Sequence, residues 1–246
     1  MPECGHIDFS ETLSGFPSVT LAEMDAVKLM NRIDTKYVTD EAGLRRLLSA
    51  AAASGYRVLQ TEGKRISPYD SVYYDTSSLK MFYDHRNKRL VRQKVRTRCY
   101  LNSGTTFLEY KRKNNHGRTK KERRPVSGMM LDLPGLSPSV ETLFRRITLV
   151  NPEMTERLTI DTCVCFRNLR TGIEASLKDA VIIELKQDGR SGSRMKRLLL
   201  DERIHPFRVS KYCIGVSLSD PAAIPGRFKL KIRGIEKIID NKITVL

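Results

Sequence analysis

Tryptophan is absent from this 246-residue chain, and Phe and Tyr bring the aromatic share to only 7%. Proteins that hold single-stranded nucleic acid irrespective of sequence stack its bases on aromatic faces set among cations. The most basic stretches here carry no such platform, which argues against nucleic acid as the main partner. The four histidines (His6, His85, His116, His205) stand apart, and the five cysteines (Cys4, Cys99, Cys163, Cys165, Cys213) are odd in number and scattered. That usage fits reduced, buried thiols rather than a disulfide framework or a zinc site. Gly-x-Ser-x-Gly and Walker-type glycine loops are both missing. Gly189-Arg190-Ser191-Gly192-Ser193 matches neither and reads as a surface turn, so a bound nucleotide would be gripped by its phosphates alone. No apolar run approaches the roughly 20 residues of a spanning helix. The start, Met1 to His6, lacks the basic-then-apolar pattern of a secretory signal. With no linker, repeat or low-complexity tract, residues 1–246 read as one globular, cytoplasmic domain.

What is abundant is positive charge. Forty-four Lys and Arg against 28 Asp and Glu leave a net +16, which implies phosphate-rich partners: nucleic acid, nucleotides, inorganic phosphates or an anionic membrane. The charge is also patterned. Strand side chains alternate between faces, so Arg92, Lys94, Arg96 and Arg98 fall on one side, opposite Val95, Thr97 and Cys99. Glu109, Lys111 and Lys113 share a side opposite Leu108 and Tyr110. Arg157, Thr159 and Asp161 oppose Leu158 and Ile160, and Glu184 and Lys186 oppose Ile183 and Leu185. One such residue is most often a solvated face residue or half of a cross-face ion pair. Recurrence on strand after strand needs another reason. Either a flat sheet leaves its charged side wet, or a barrel encloses a charged lumen with helices packed outside. Turning so many cations inward is costly unless a multivalent anion fills the space.

The elements follow from periodicity and turn chemistry. Residues 20–34 read as a short helix and Lys36–Val38 as a strand. Asp40 caps a helix with Leu44, Leu47, Leu48 and Ala51 on one side, ended by Ser54-Gly55. Strands are expected over Tyr56–Gln60, Asp70–Tyr74, 89–101 and 105–113, the last two joined by Asn102-Ser103-Gly104, with a helix at Ser78–His85. Asn114–Lys120 reads as a loop and Lys121–Val126 as a strand. Ser137-Pro138 reads as a helix start, since Val140, Leu143, Phe144 and Ile147 follow at helical spacing. Strands then cover Arg157–Arg167, Gly172–Leu177 and Ala180–Lys186, and helices cover 193–202, 211–218 and about 228–240.

Phosphoryl transfer requires positioned cations more than a covalent nucleophile, and a hard divalent metal requires oxygen ligands. Glu184, set among lysines, is the first candidate ligand; Glu109 and Asp161 come next. Seven ordered motifs then resemble a known family: Asn31–Val38, Tyr73–Thr76, Lys94–Tyr100, Phe107–Lys113, Arg157–Asp161, Ile183–Lys186 and Ser210–Tyr212. Over about residues 20–220 the chain resembles bacterial VTC-domain proteins, relatives of the catalytic subunit of the vacuolar transporter chaperone complex and members of the triphosphate tunnel metalloenzymes. The resemblance implies an α+β fold, an antiparallel β-barrel tunnel with helices outside, and polyphosphate synthesis from ATP with Mn²⁺ or Mg²⁺. It implies that Lys36, Arg96, Arg98, Lys111 and Arg157 grip the phosphates, that Lys113 and Lys121 extend the lining, that Glu184 holds the metal, and that Lys211 sits beside the reacting groups. Glu184, Arg157 and Lys211 are thus the expected catalytic set. The Glu-x-Glu-x-Lys signature of the thiamine-triphosphatase and adenylate cyclase branch is absent, since the first strand reads Asp34-Thr35-Lys36. ATP and polyphosphate are the expected partners, with recruitment by a membrane partner open. A triphosphatase on the same fold, and RNA binding without chemistry, are the competing readings.

Overall fold

The alternation of charged and apolar residues builds a large antiparallel sheet. The computed structural model describes residues 8–25, 32–116, 118–189 and 192–245. Helix α1 (Ser10–Ser14), strand β1 (Ser18–Val19) and helix α2 (Leu21–Asp25) precede strand β2 (Arg32–Thr39) and helix α3 (Glu41–Ala53). Strands β3 (Arg57–Leu59) and β4 (Ser67–Asp75) lead to helix α4 (Lys80–Arg86). Five long strands follow: β5 (Arg92–Tyr100), β6 (Thr105–Lys113), β7 (Thr119–Pro125), β8 (Ser137–Val150) and β9 (Glu156–Asn168). The chain ends with β10 (Glu174–Ser176), β11 (Val181–Asp188), α5 (Arg194–Asp201), α6 (Lys211–Ser219), α7 (Arg227–Ile238) and β12 (Thr244–Val245).

The main run of the sheet is β2-β11-β9-β8-β4-β5-β6-β7, antiparallel throughout. It curls into a half-barrel. Its convex side packs on α1, α3 and α5 through Leu44, Leu47, Leu48, Ile147, Leu158, Ile160, Ile183, Leu185 and Leu199. Each fully buried Leu or Ile contributes about 1.5–3 kcal/mol. Helix α3 starts where expected: Asp40 accepts from the Gly43 N–H at 2.7 Å. Gly43 makes room for this cap: a Cβ would lie 2.2 Å from Thr39 Oγ1, which would have to turn away. Another convex core, under residues 126–136, gathers Val72, Tyr74, Val95, Leu108 and Leu133. The concave side holds an apolar core at one end, where Val38, Tyr73, Val140, Phe144, Phe166 and Ile182 meet α6 and α7.

Three sequence expectations give way. Residues 137–147 form strand β8, not a helix, and pair with β4 on one edge and β9 on the other. Val140, Phe144 and Ile147 suit either element, and pairing between two long strands decides; Pro138 is tolerated near the strand start. Of the helix expected over 20–34, Leu21–Asp25 is helical, while from Arg32 the chain is strand β2; 26–31 fall outside the described residues. Strand β7 also begins earlier than expected, at Thr119. The expected turn at 189–193 lies partly outside the described residues, at 190–191. Cys99, Cys163, Cys165 and Cys213 form no disulfide, and Cys4 lies outside the description. Among the described residues no helix is long and apolar enough to cross a membrane.

Candidate functional site

The concave face carries three carboxylates, each held by two cations. Strands β2 and β11 place Lys36 opposite Glu184; Lys36 Nζ lies 2.5 Å from Glu184 Oε1, and Lys186 Nζ 2.8 Å from Oε2. On β6, Glu109 accepts from Arg96 Nε at 2.7 Å and from Lys121 Nζ at 2.6 Å. On β9, Asp161 accepts a bidentate pair from Arg146 at 2.6 and 2.8 Å, and a further bond from Lys211. Glu109 and Asp161 are buried, their side chains 3% and 5% exposed, so each carboxylate depends on its cations for compensation.

Helix α6 forms the floor. Ser210 caps it, and Lys94 Nζ donates to Ser210 Oγ at 2.8 Å. Lys211, its first residue, lies over the Phe144 ring, 4.1 Å from the centroid. Gly215 lets the helix press onto the sheet: a Cβ there would meet Phe166 at 2.8 Å and Val140 at 2.9 Å. Arg96 donates to the Tyr73 hydroxyl at 2.9 Å, and Tyr73 stacks on Tyr212. Arg98 and Arg146 both lie over Tyr69 and Phe144. A bulge keeps this face continuous. Leu143 pairs with Cys165 and Arg145 with Thr162, so Cys163 and Val164 together oppose Phe144. Cys163 takes the left-handed conformation, φ 52°.

Crowded cations and burial shift the titrations. Burial pushes Lys211 down to about 8 although Asp161 opposes the shift, and Lys186 down to about 8 against Glu184. Burial also lowers Lys94. It works against charging Glu184, but Lys186 and Lys36 overcome it and hold that carboxyl well below the usual range. Asp161 and Glu109 are held low in the same way, by Arg146 with Lys211 and by Arg96, Arg98 and Lys121 respectively. For Tyr73 burial favours the neutral phenol, yet Arg96, Arg98, Lys94 and Lys211 bring it down to about 8. The face is short of negative charge.

Most of the residues expected from sequence meet here. Lys36, Glu184, Arg96, Arg98, Lys121 and Lys211 belong to the clamps or touch them. Lys111 lies near enough to Glu184 and Lys36 to feel both charges, and Arg157 pairs in register with Lys186. Lys113 sits apart, opposite Arg92 and Thr119 at the outer end of β6. It lines a surface cavity of about 580 Å³ with Arg118 and Lys120. Arg146 was missed because residues 137–147 read as a helix. As a strand, the period of two places Phe144, Arg146 and Thr148 on one face, and the bidentate match to Asp161 follows. Tyr73 falls in the strand expected over Asp70–Tyr74 and in one of the seven motifs, with no charge pattern that singles it out.

Among the described residues, no three His, Cys, Asp or Glu side chains converge as a metal site. Both Glu184 oxygens are engaged by lysines. With one carboxylate and no further protein ligand beside it, this donor set would suit only a hard cation that brings phosphate oxygens with it, Glu184 supplying a single ligand.

Comparison with curated proteins returned no match. Among solved structures, a Vibrio parahaemolyticus protein described as an adenylate cyclase candidate is 12% identical, covering 73% of this chain and 94% of its own, with a TM-score of 0.46. A Hippeastrum protein described as an adenylyl cyclase candidate with a dominant triphosphatase activity is 13% identical, covering 76% and 95%, with a TM-score of 0.44. A conserved hypothetical protein of Pyrococcus furiosus is 12% identical, covering 73% and 99%, at 0.41. The VTC domain pattern matches residues 31–133 and 129–219, a span that takes in every clamp from Lys36 to Lys211. By that match this chain belongs to the VTC-domain family.

Proposed function

We propose that this chain is a metal-dependent phosphoryl-transfer enzyme that extends polyphosphate from ATP. The observation that carries the reading is the set of three carboxylates shared between cations on one concave face. A polyanion entering this face can replace each carboxylate as partner of the cations, with little movement of either. Arg forks grip paired phosphate oxygens and lysines supply point charge. Lys36, Arg96, Arg98, Lys111, Arg146 and Arg157 hold the triphosphate and the chain end; Lys121 and Lys113 extend the lining outward. An oxygen of the chain's terminal phosphate attacks the γ-phosphorus in line, the β–γ bridging bond breaks, and ADP leaves with the bridging oxygen. Lys211, charged at neutral pH, neutralises the equatorial oxygens as that charge spreads. A bound Mn²⁺ or Mg²⁺, with Glu184 as its protein ligand, would add charge neutralisation at the phosphates.

A triphosphatase is the second reading. The side chains of Lys36 and Lys121 are 35% and 44% exposed, against 13% for Lys211, so water reaches the β2 and β7 side and can serve as acceptor. Incubation of the protein with ATP and Mn²⁺, resolved by gel and phosphorus NMR, separates the readings. Chains with bridging-phosphate resonances, formed with ADP, support the polymerase. Orthophosphate without chains supports the triphosphatase. Binding of polyphosphate or RNA without turnover refutes both.

A further inference from the structure

The concave face is blocked at one end and exposed along one side. Beyond Asp161 the interior is filled by α6 against Val140, Phe166 and Ile182, with no room at Gly215 even for a methyl group. Along the opposite side every residue of β7 is exposed, and among the described residues β7 pairs only with β6. The hairpin segment 111–125 carries Lys111, Arg112, Lys113, Arg118, Lys120, Lys121, Arg123 and Arg124 against Glu122.

The register sets like charges directly across from one another. Lys111 faces Lys94 on one side and Lys121 on the other, and Arg112 faces Lys120. Each such juxtaposition is destabilising. Lysines also protect edge strands from pairing with other chains, but that role does not require cations opposite cations. The row also has a direction. It starts at Lys94, half-buried and bonded to Ser210 on the floor, and passes through exposed Lys111 to exposed Lys121. Beside it on the outer face stands Lys120, its side chain 77% exposed. At the hairpin end lies the cavity of about 580 Å³ lined by Arg112, Lys113, Arg118 and Lys120.

We propose that the β6–β7 hairpin is a second polyanion site, which carries the part of a linear polyphosphate chain too long for the concave face out sideways over β7. The inference rests on the phosphate reading of the concave face and adds to it a preference for long chains. Short phosphates occupy the clamps alone. Long chains occupy the clamps and the hairpin, so their affinity has an extra, salt-sensitive contribution.

The test uses the full chain and calorimetric titration with tripolyphosphate and with a long linear polyphosphate. The double variant Lys120→Glu/Arg124→Glu changes two exposed side chains outside the clamps. It should leave tripolyphosphate affinity unchanged, weaken the long chain by about tenfold or more, and flatten the salt dependence of long-chain binding. The milder Lys120→Gln/Arg124→Gln pair should show the same selectivity at smaller size if the reversal disturbs folding. Equal weakening of both ligands, or no weakening of the long chain, overturns the proposal. So does displacement of the long chain from the wild type by an RNA oligonucleotide as readily as by polyphosphate, which would mark a nucleic-acid face. A wild-type protein that does not bind tripolyphosphate removes the concave-face reading itself, and this one with it.

Discussion

Replacing Asp161 by Asn tests the exchange of carboxylate for phosphate most directly. Asp161 is 5% exposed and holds Arg146 through two bonds and Lys211 through a third. The Asn side chain has nearly the same shape but cannot compensate either cation, and Arg98 adds a further positive charge beside Arg146. Removing one partner of a buried ion pair costs about 3–5 kcal/mol. For a chain of this size each kcal/mol moves the thermal midpoint by about 2–4 °C, so the unliganded variant should melt roughly 6–20 °C below the wild type. Tripolyphosphate should recover much of that loss. In the wild type the ligand competes with Asp161 for Arg146 and Lys211, whereas in the variant it meets uncompensated cations. Ligand binding to the native state alone raises stability by about 2.7 kcal/mol at a hundred times Kd, and tighter binding to the variant increases the gain at fixed concentration. Thermal unfolding of both proteins, with and without tripolyphosphate, gives four midpoints. A ligand-induced shift in the variant equal to or smaller than that of the wild type refutes the exchange.

Other expectations follow from the same contacts. Glu184→Gln should abolish metal-dependent turnover while leaving circular dichroism unchanged; wild-type activity at saturating Mn²⁺ would remove Glu184 from the metal. Lys186 and Lys211 both titrate at about 8, and an anion favours their charged forms. Tripolyphosphate affinity should therefore be highest below that pH and fall as pH rises through it, by up to tenfold per unit for each lysine. Lys211→Arg, which stays charged, should flatten the fall in a calorimetric pH series. Gly215→Ala should destabilise the fold by about 1–3 kcal/mol, read by urea unfolding, because Phe166 and Val140 leave no space for the added carbon.

The charged rows were legible in the sequence because strand geometry has a period of two and the residues obey it. Lys94, Arg96 and Arg98 on β5 do face one side, as do Glu184 and Lys186 on β11. The cap at Asp40 was legible because it is a local hydrogen bond. Arg146 was not: Val140, Leu143, Phe144 and Ile147 follow helical spacing, and only pairing with the flanking β4 and β9, which sets Phe144 and Ile147 on opposite faces, overrides it. The carboxylate clamps were half legible. Glu184 beside Lys186 is visible along one strand, but its bond to Lys36 depends on a pairing 148 residues apart in sequence. The bulge at Cys163 could not be foreseen, since its positive φ belongs to the mismatch between β8 and β9 and not to any residue preference.

The two sides of the half-barrel also differ in stiffness. Strands β8, β9 and β11 bear apolar cores on both faces, with Phe144 and Ile147, Val164 and Ile160, or Ile182 and Ile183 pointing opposite ways. Strand β7 is exposed on both faces. Amide exchange should be slowest in the first group and fastest in β7. The concave face is therefore stiff around Asp161, Arg146 and Glu184 and loosest at Lys121 on β7. A polyanion that reaches Lys121 would slow exchange chiefly in β7, the one end of the main run of strands with no core on either face.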